Sequence, residues 1–387
     1  MTVSTQLSER AAAERQYQNN RMVHADFDQA PFTIAWEVTR ACAYACVHCR
    51  ADAQHQRDPR ELSTEEAFAL IDRLADFGNN PILIFTGGDP MMRRDLNELI
   101  AYATQKGLRC SLTPTATALP TTERLEQVRE AGIRRIALSL DAPRPEVHDE
   151  FRKVPGSWQR TMDILHRAHD VGLSVQINTT VAKHNVDILP EMVPFIQEVG
   201  AVQWSVFFLV PTGRAMLEQM ISAEQHEQTF NWLYDLSQNA PFDIKSTAAP
   251  MYRRVAIERK KAEAGDKPVT FQGAGFQYAD GLNRPTKGVN DGNGFLFVSH
   301  RGDIMPSGFL PIAAGNVRND DVVQVYRQHP LFKALRDPAL IKGKCGVCDF
   351  RDVCGGQRGR AYGLTGDYLE TDPACAYEPN LRGSNEL

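Results

Sequence analysis

Apolar residues recur along the chain in short blocks, separated by longer stretches whose apolar positions repeat with helical period. Phe32 to Val38 is the first block and predicts a strand, after a polar extension (residues 1–30) rich in Ala, Glu, Arg, Gln and Asn that reads as partly helical. Ser63-Thr64-Glu65-Glu66 is a capping box, and the helix it starts runs to about Phe77 with Ala67, Leu70, Ile71, Leu74 and Ala75 on one face. The alternation then repeats. Strands are predicted at 81–85, 109–112, 135–140, 174–181 and 202–210, and helices at 95–106, 122–131, 158–171 and 189–199. Glycines at 78, 107, 132, 172 and 200 mark helix ends. Six short apolar strands separated by helices predict an α/β fold with a parallel sheet under helices, as a partial barrel or an open sheet. In either, ligands belong at the C-terminal ends of the strands.

Beyond residue 215 the pattern weakens. Ala223 to Gln238 reads as one more helix, and residues 258–293 turn rich in Lys, Gly and Asn, as a linker or loop. The basic run Arg253, Arg254, Arg259, Lys260 and Lys261 reads as a solvated helix face. Phe295 to Ile304 resembles a hairpin with Arg301-Gly302 at its turn.

A length of 387 residues suggests two or three domains, and 42% hydrophobic residues with 24% charged is ordinary for a globular chain. The net charge of −5 offers no basic footprint for nucleic acid. No N-terminal apolar region reads as a secretory signal, and no apolar run nears the roughly 18 residues of a membrane span. The expectation is a cytoplasmic protein whose cysteines meet a reducing environment, where close spacing favours metal binding over disulfides.

Of eight cysteines, Cys42, Cys46 and Cys49 fall in the loop that leaves the first strand, spaced C-x3-C-x2-C. Three thiolates suit a four-iron cluster with one iron left open, or a zinc knuckle that His48 completes. Cys345, Cys348, Cys354 and Cys375 form a second set that could close either a four-iron cluster or a tetrahedral zinc site. Cys110 lies alone in an apolar strand and reads as a small buried residue. Thr86-Gly87-Gly88-Asp89-Pro90 follows the second strand, where paired glycines serve a tight turn or let a ligand approach the backbone. Ser139 and Asp141 end the fourth strand, Arg152 follows, and Asn178 lies on the fifth. An arginine, a hydroxyl and an amide on one rim would suit a ligand bearing a carboxylate and a ribose.

These motifs together resemble the radical S-adenosylmethionine (SAM) superfamily, with residues 31–215 as a partial (β/α)6 TIM-like barrel and 216–293 as a helical bridge and mobile loop. Residues 294–387 resemble a SPASM or twitch auxiliary-cluster domain. The resemblance implies a [4Fe-4S] cluster on Cys42, Cys46 and Cys49, SAM completing it, and the SAM ammonium held by Gly87, Gly88 and Asp89. It makes Ser139, Arg152 and Asn178 candidates for the carboxylate and ribose of SAM, and places a second [4Fe-4S] cluster on Cys345, Cys348, Cys354 and Cys375. Reductive cleavage of SAM to a 5′-deoxyadenosyl radical is the implied activity, with ferredoxin or flavodoxin as the kind of electron donor. Trp36 to Arg40, Phe85 to Pro90, Asn178 to Val181, Leu209 to Arg214 and Gly343 to Tyr362 resemble the branch of SAM-dependent haem synthases and haem d1 proteins. That likeness implies oxidation and decarboxylation of a carboxylate-bearing substrate, a tetrapyrrole; the alternatives are a mycofactocin-type peptide maturase and a non-catalytic metal-binding protein. Members of the branch tend to carry cysteines where this chain has Gln357 and near Ser307, so two clusters in all are expected here.

Overall fold

The computed structural model describes residues 26–265 and 288–379. Most of the N-terminal extension and the middle of the 258–293 stretch lie outside the described residues.

Among the described residues ten strands form one sheet in the order β10-β9-β8-β1-β2-β3-β4-β5-β6-β7, with the two-residue β10 (Gly315–Asn316) at one edge. The six predicted from the pattern are β1 (Thr33–Thr39), β2 (Ile82–Gly87), β3 (Arg109–Leu112), β4 (Arg135–Ser139), β5 (Ser174–Val181) and β6 (Gln203–Phe208). Successive members pair in parallel. Strand β5 shows why they wrap around a lumen. Val175, Ile177 and Val181 are buried on the outer, helix-covered face, while Ser174, Gln176, Asn178 and Thr180 line a cavity on the inner one. Side chains of successive strand residues point to opposite faces, so a strand here keeps polar residues inside the barrel and apolar ones under the helices. The first helix, α1 (Thr64–Ala75), carries the expected capping box, with Ser63 Oγ accepting from Glu66 N and Glu66 returning to Ser63 N.

Three features depart from the sequence pattern. Strand β7 (Asp243–Thr247), inside the expected helical bridge, adds a seventh parallel strand beside β6. Its five residues are mostly polar, with Lys245 and Thr247 on the lumen, so it has no apolar block to reveal it. A helix at Pro145–Arg152 is also new. The third is the basic run, which lies on a helix at Met251–Ala264 whose Arg254 is 3% exposed and paired with Glu227 and Glu258. An ion-paired arginine can be buried where an unpaired one would not be, so the solvated-face reading does not hold for Arg254.

The expected hairpin is present as β8 (Phe295–Val298) and β9 (Asp303–Met305), with Gly302 at φ +86° in its turn. β8 also pairs in parallel with β1, Trp36 opposite Val298. The C-terminal unit thus extends the barrel wall rather than resting on it.

Candidate active site

The β1 end of the barrel holds the first cysteine set. Cys42 and Cys46 are buried and Cys49 partly so; the Cys42 thiol feels the charge of Cys46, and the Cys46 thiol that of Cys49. Burial pushes the Cys42 thiol up to about 11, partly offset by an N–H from Tyr44 at 3.3 Å. Ala53 N approaches Cys49 Sγ at 3.5 Å. Arg214, from the segment after β6, ties the loop down: Nε donates to Cys46 O at 3.0 Å and its backbone N–H to Cys49 O at 3.0 Å.

Gly87 and Gly88 press against this loop. A Cβ on Gly87 would stand 2.4 Å from Thr39 O, and one on Gly88 2.3 Å from Ala41 O. The close approach these glycines permit is therefore between the ends of β1 and β2, and both also border the cavity. Asp89 does not border it. Its carboxylate is fully buried and accepts from Thr117 Oγ1 at 2.9 Å and Met91 N at 3.1 Å. Thr115, which the sequence reading missed, joins the parts by donating to Gly88 O at 2.9 Å and lying 3.8 Å from Cys42 Sγ.

Ser139, Asn178 and Arg152 all line the cavity with the three cysteines. Arg152 is already engaged: Nε donates to Asp141 Oδ2 at 2.7 Å, and the guanidinium hydrogen-bonds to Cys46. Burial opposes the charge on Asp141, yet Arg152, His48 and His148 hold its pKa well below the ordinary carboxylate range. His48 stacks on Phe151 at 4.0 Å, and Phe151 in turn on His184 at 3.7 Å. Burial, reinforced by Arg152, lowers His48 to about 3, and its Nδ1 has no hydrogen-bond partner. A neutral, flat ring is thus presented beside the thiols.

The cavity has a volume of about 920 Å3, within the ordinary range of small-molecule sites. Among the described residues seven cationic side chains border it: Arg50, Arg152, Lys245 and Arg253, with Arg109, Arg134 and Arg135 around the strands' N-terminal ends. Asp291 is its single bordering carboxyl among the described residues. Asp291 takes N–H bonds from Gln357 Nε2 at 2.8 Å and Gly359 N at 2.7 Å, and also bonds Ser307. The two positions expected to lack cysteines, Gln357 and Ser307, thus converge on one buried acid.

The second cysteine set lies in the C-terminal unit, away from the cavity wall. Cys348, Cys354 and Cys375 each feel the charge of Cys345. Phe350 N, Gly356 N and Asp372 N approach Cys348, Cys354 and Cys345 at 3.4, 3.4 and 3.5 Å. Burial drives Cys354 up to about 12. Beneath the set, Arg360 and Asp372, both fully buried, form an ion pair at 2.9 Å, and Arg360 also reaches Leu209 O and Ala248 O of the barrel. Cys110 belongs to neither set; it is partly buried on β3.

Both sets suit iron-sulfur clusters. Backbone N–H groups aimed at thiolate sulfur are the outer contacts such clusters use, and each set has them. Among the described residues no three His, Cys, Asp or Glu side chains converge on a single-ion position.

The family described as the Radical SAM superfamily matches residues 36–195. The chain is 43% identical over 348 residues to an AdoMet-dependent heme synthase of Nitratidesulfovibrio vulgaris, covering 89% of this chain and 92% of that one. It is 29% identical to the mycofactocin maturase MftC of Mycolicibacterium smegmatis, covering 89% and 83%. The crystal structure of Streptococcus suis SuiB bound to precursor peptide SuiA shares the fold, with a TM-score of 0.66 over 96% of this chain and 80% of that one at 16% identity. A curved parallel sheet, three cysteines where β1 opens onto its lumen, and a relative matched along nearly its whole length agree: the chain is a radical SAM enzyme and belongs to the radical SAM superfamily, alongside the AdoMet-dependent heme synthases.

Proposed function

We propose that this enzyme oxidatively decarboxylates propionate side chains of an iron-bearing tetrapyrrole, as a haem synthase. The charge of the cavity carries the reading. Among the described residues seven cations and one carboxyl border a lumen that opens on three thiols. Arg152 and Arg50 are balanced from behind by Asp141 and Glu37, and the lining as a whole suits a substrate with several carboxylates. The similarity to a heme synthase, greater than that to a peptide maturase, points the same way.

In this reading Cys42, Cys46 and Cys49 hold a [4Fe-4S] cluster and leave one position for SAM. When bound, the two supply a 5′-deoxyadenosyl radical able to remove a substrate hydrogen. The chain's own residues then have separable tasks. Gly87 and Gly88 bring the β2 backbone against the cysteine loop and leave room beside it for the amino end of SAM. Asp89 fixes that turn from behind. His48 offers its ring face; Ser139 and Asn178 supply a hydroxyl and an amide to the lumen. Arg152 balances Asp141 and steadies Cys46, with donors left for a carboxylate. Cys345, Cys348, Cys354 and Cys375 hold a second, closed cluster. An electron donor such as a ferredoxin or flavodoxin completes the reaction.

Anaerobic reconstitution is expected to load about eight irons per chain, two cubane clusters' worth. With reductant, SAM and iron-coproporphyrin, the protein is expected to release 5′-deoxyadenosine and carbon dioxide together. Two tightly held zincs without iron would overturn the cluster assignment. Turnover of SAM with no change in the porphyrin, by mass, would overturn the substrate.

A further inference from the structure

We propose that Arg50 is the anchor for a carboxylate of the substrate, held in position by the C-terminal unit. The proposal rests on the tetrapyrrole reading above and assigns one residue to it.

Arg50 directly follows Cys49 and borders the cavity. Its Nη2 donates to Glu37 Oε2 at 3.0 Å, and its guanidinium carbon lies 4.7 Å from the centre of the Phe297 ring. Gly308 makes space for it: a Cβ there would stand 2.8 Å from both Cδ and Nη1. Glu37 is 4% exposed, and its other oxygen is 2.7 Å from His300 Nδ1. Burial works against the charge on Glu37, but Arg50 and His300 together keep its pKa below the ordinary carboxylate value. The carboxylate is therefore a fixed peg for one edge of the guanidinium.

Three of the four groups that fix Arg50 (Phe297, His300 and Gly308) come from the C-terminal unit, on and after β8. The bond to Glu37 uses one of the five guanidinium donors. Arg50 itself borders the lumen beside Cys49, where a planar fork matches a carboxylate. The other cations are placed differently. Arg152 is paired with Asp141 and Cys46 and its remaining donors are assigned to SAM, and Arg135 sits at the first residue of β4, bonded to Gln203 at 3.0 Å. Arg50 is the cation whose support and position both suit a substrate arm held beside the cysteine loop.

The test is an anaerobic absorbance titration of the reconstituted full chain with iron-coproporphyrin, and with its tetramethyl ester. Arg50→Gln is expected to bind the free acid about 10- to 100-fold more weakly, with Arg50→Lys recovering part of the loss. The wild type should prefer acid to ester, and Arg50→Gln should largely lose that preference. Gly308→Val, which crowds the guanidinium from outside the cysteine loop, is expected to weaken acid binding in the same direction. Wild-type affinity in Arg50→Gln, or an undiminished preference for acid over ester, would overturn the anchor alone. Failure of the wild type to bind iron-coproporphyrin would overturn the tetrapyrrole reading and the anchor with it.

Discussion

The two cysteine sets are built from the same thiols and similar amide contacts, yet they differ in what surrounds them. The first sits at the mouth of a cavity, in a loop pinned by Gly88 and Arg214, with a cation and a neutral histidine ring beside it. The second has four thiols, stands outside the cavity wall and rests on a fully buried ion pair. A site short of one ligand but open to a lumen can admit a reactant. A complete one, backed by packed protein, can hold charge or pass electrons but has no place for a small molecule. On the proposed assignment, cofactor chemistry and cofactor wiring are separated by geometry more than by ligand type.

The sharpest way to break this contrast is to remove one thiol from each side. Cys46→Ala is expected to lower 5′-deoxyadenosine release at least about a thousandfold, to the level of the uncatalysed control, and to leave about four irons per chain on the other set. Cys348→Ala should lose about four irons as well yet still cleave SAM under dithionite, so equal damage by both substitutions would erase the distinction. Next in size is Arg360→Met. It strands Asp372 as a buried charge and should cost about 3–5 kcal/mol of stability, read by thermal or denaturant unfolding, with the cluster signal of the C-terminal set lost first. Gly88→Ala is the smaller counterpart on the other side. Its methyl group would meet Ala41 O at 2.3 Å, so about 1–3 kcal/mol of destabilisation is expected, with iron lost from the first set while the second keeps its own. A uniform loss from both would show that the loop and the C-terminal unit share one response.

Much of this was legible in the sequence, and the exceptions share a cause. The outer faces of the strands are apolar because helices cover them, so β1 to β6 stand out as blocks, and the Ser63 capping box marks α1 directly. Strand β7 has Ile244 as its one large apolar residue, since its inner positions face a polar lumen, and it reads as loop. The Pro145–Arg152 helix is only eight residues long, although Pro145 at its first position is a usable signal. The cysteine sets could be found from spacing alone. The role of Gly87 and Gly88 could not, because the atoms they make room for belong to the last residue of β1 and the loop just after it. Glu37 was the overlooked clue: an acid inside a strand buried along its whole length requires a partner, and Arg50 and His300 are that partner.

The pairing of β8 with β1 reaches beyond catalysis to the order in which the molecule is made. During synthesis the first strand emerges early, and β2 can join it within some fifty residues, but the neighbour on its other side lies at Phe295–Val298. Until then β1 is an open sheet edge, the kind of surface that recruits other chains. Pairings so distant in sequence also form slowly. A ribosome that stops, or a gene that ends, just before residue 295 would release a barrel whose cysteine loop hangs from an unprotected strand, and aggregation is the expected fate of such a fragment. The last quarter of the chain therefore acts as a folding checkpoint for the first.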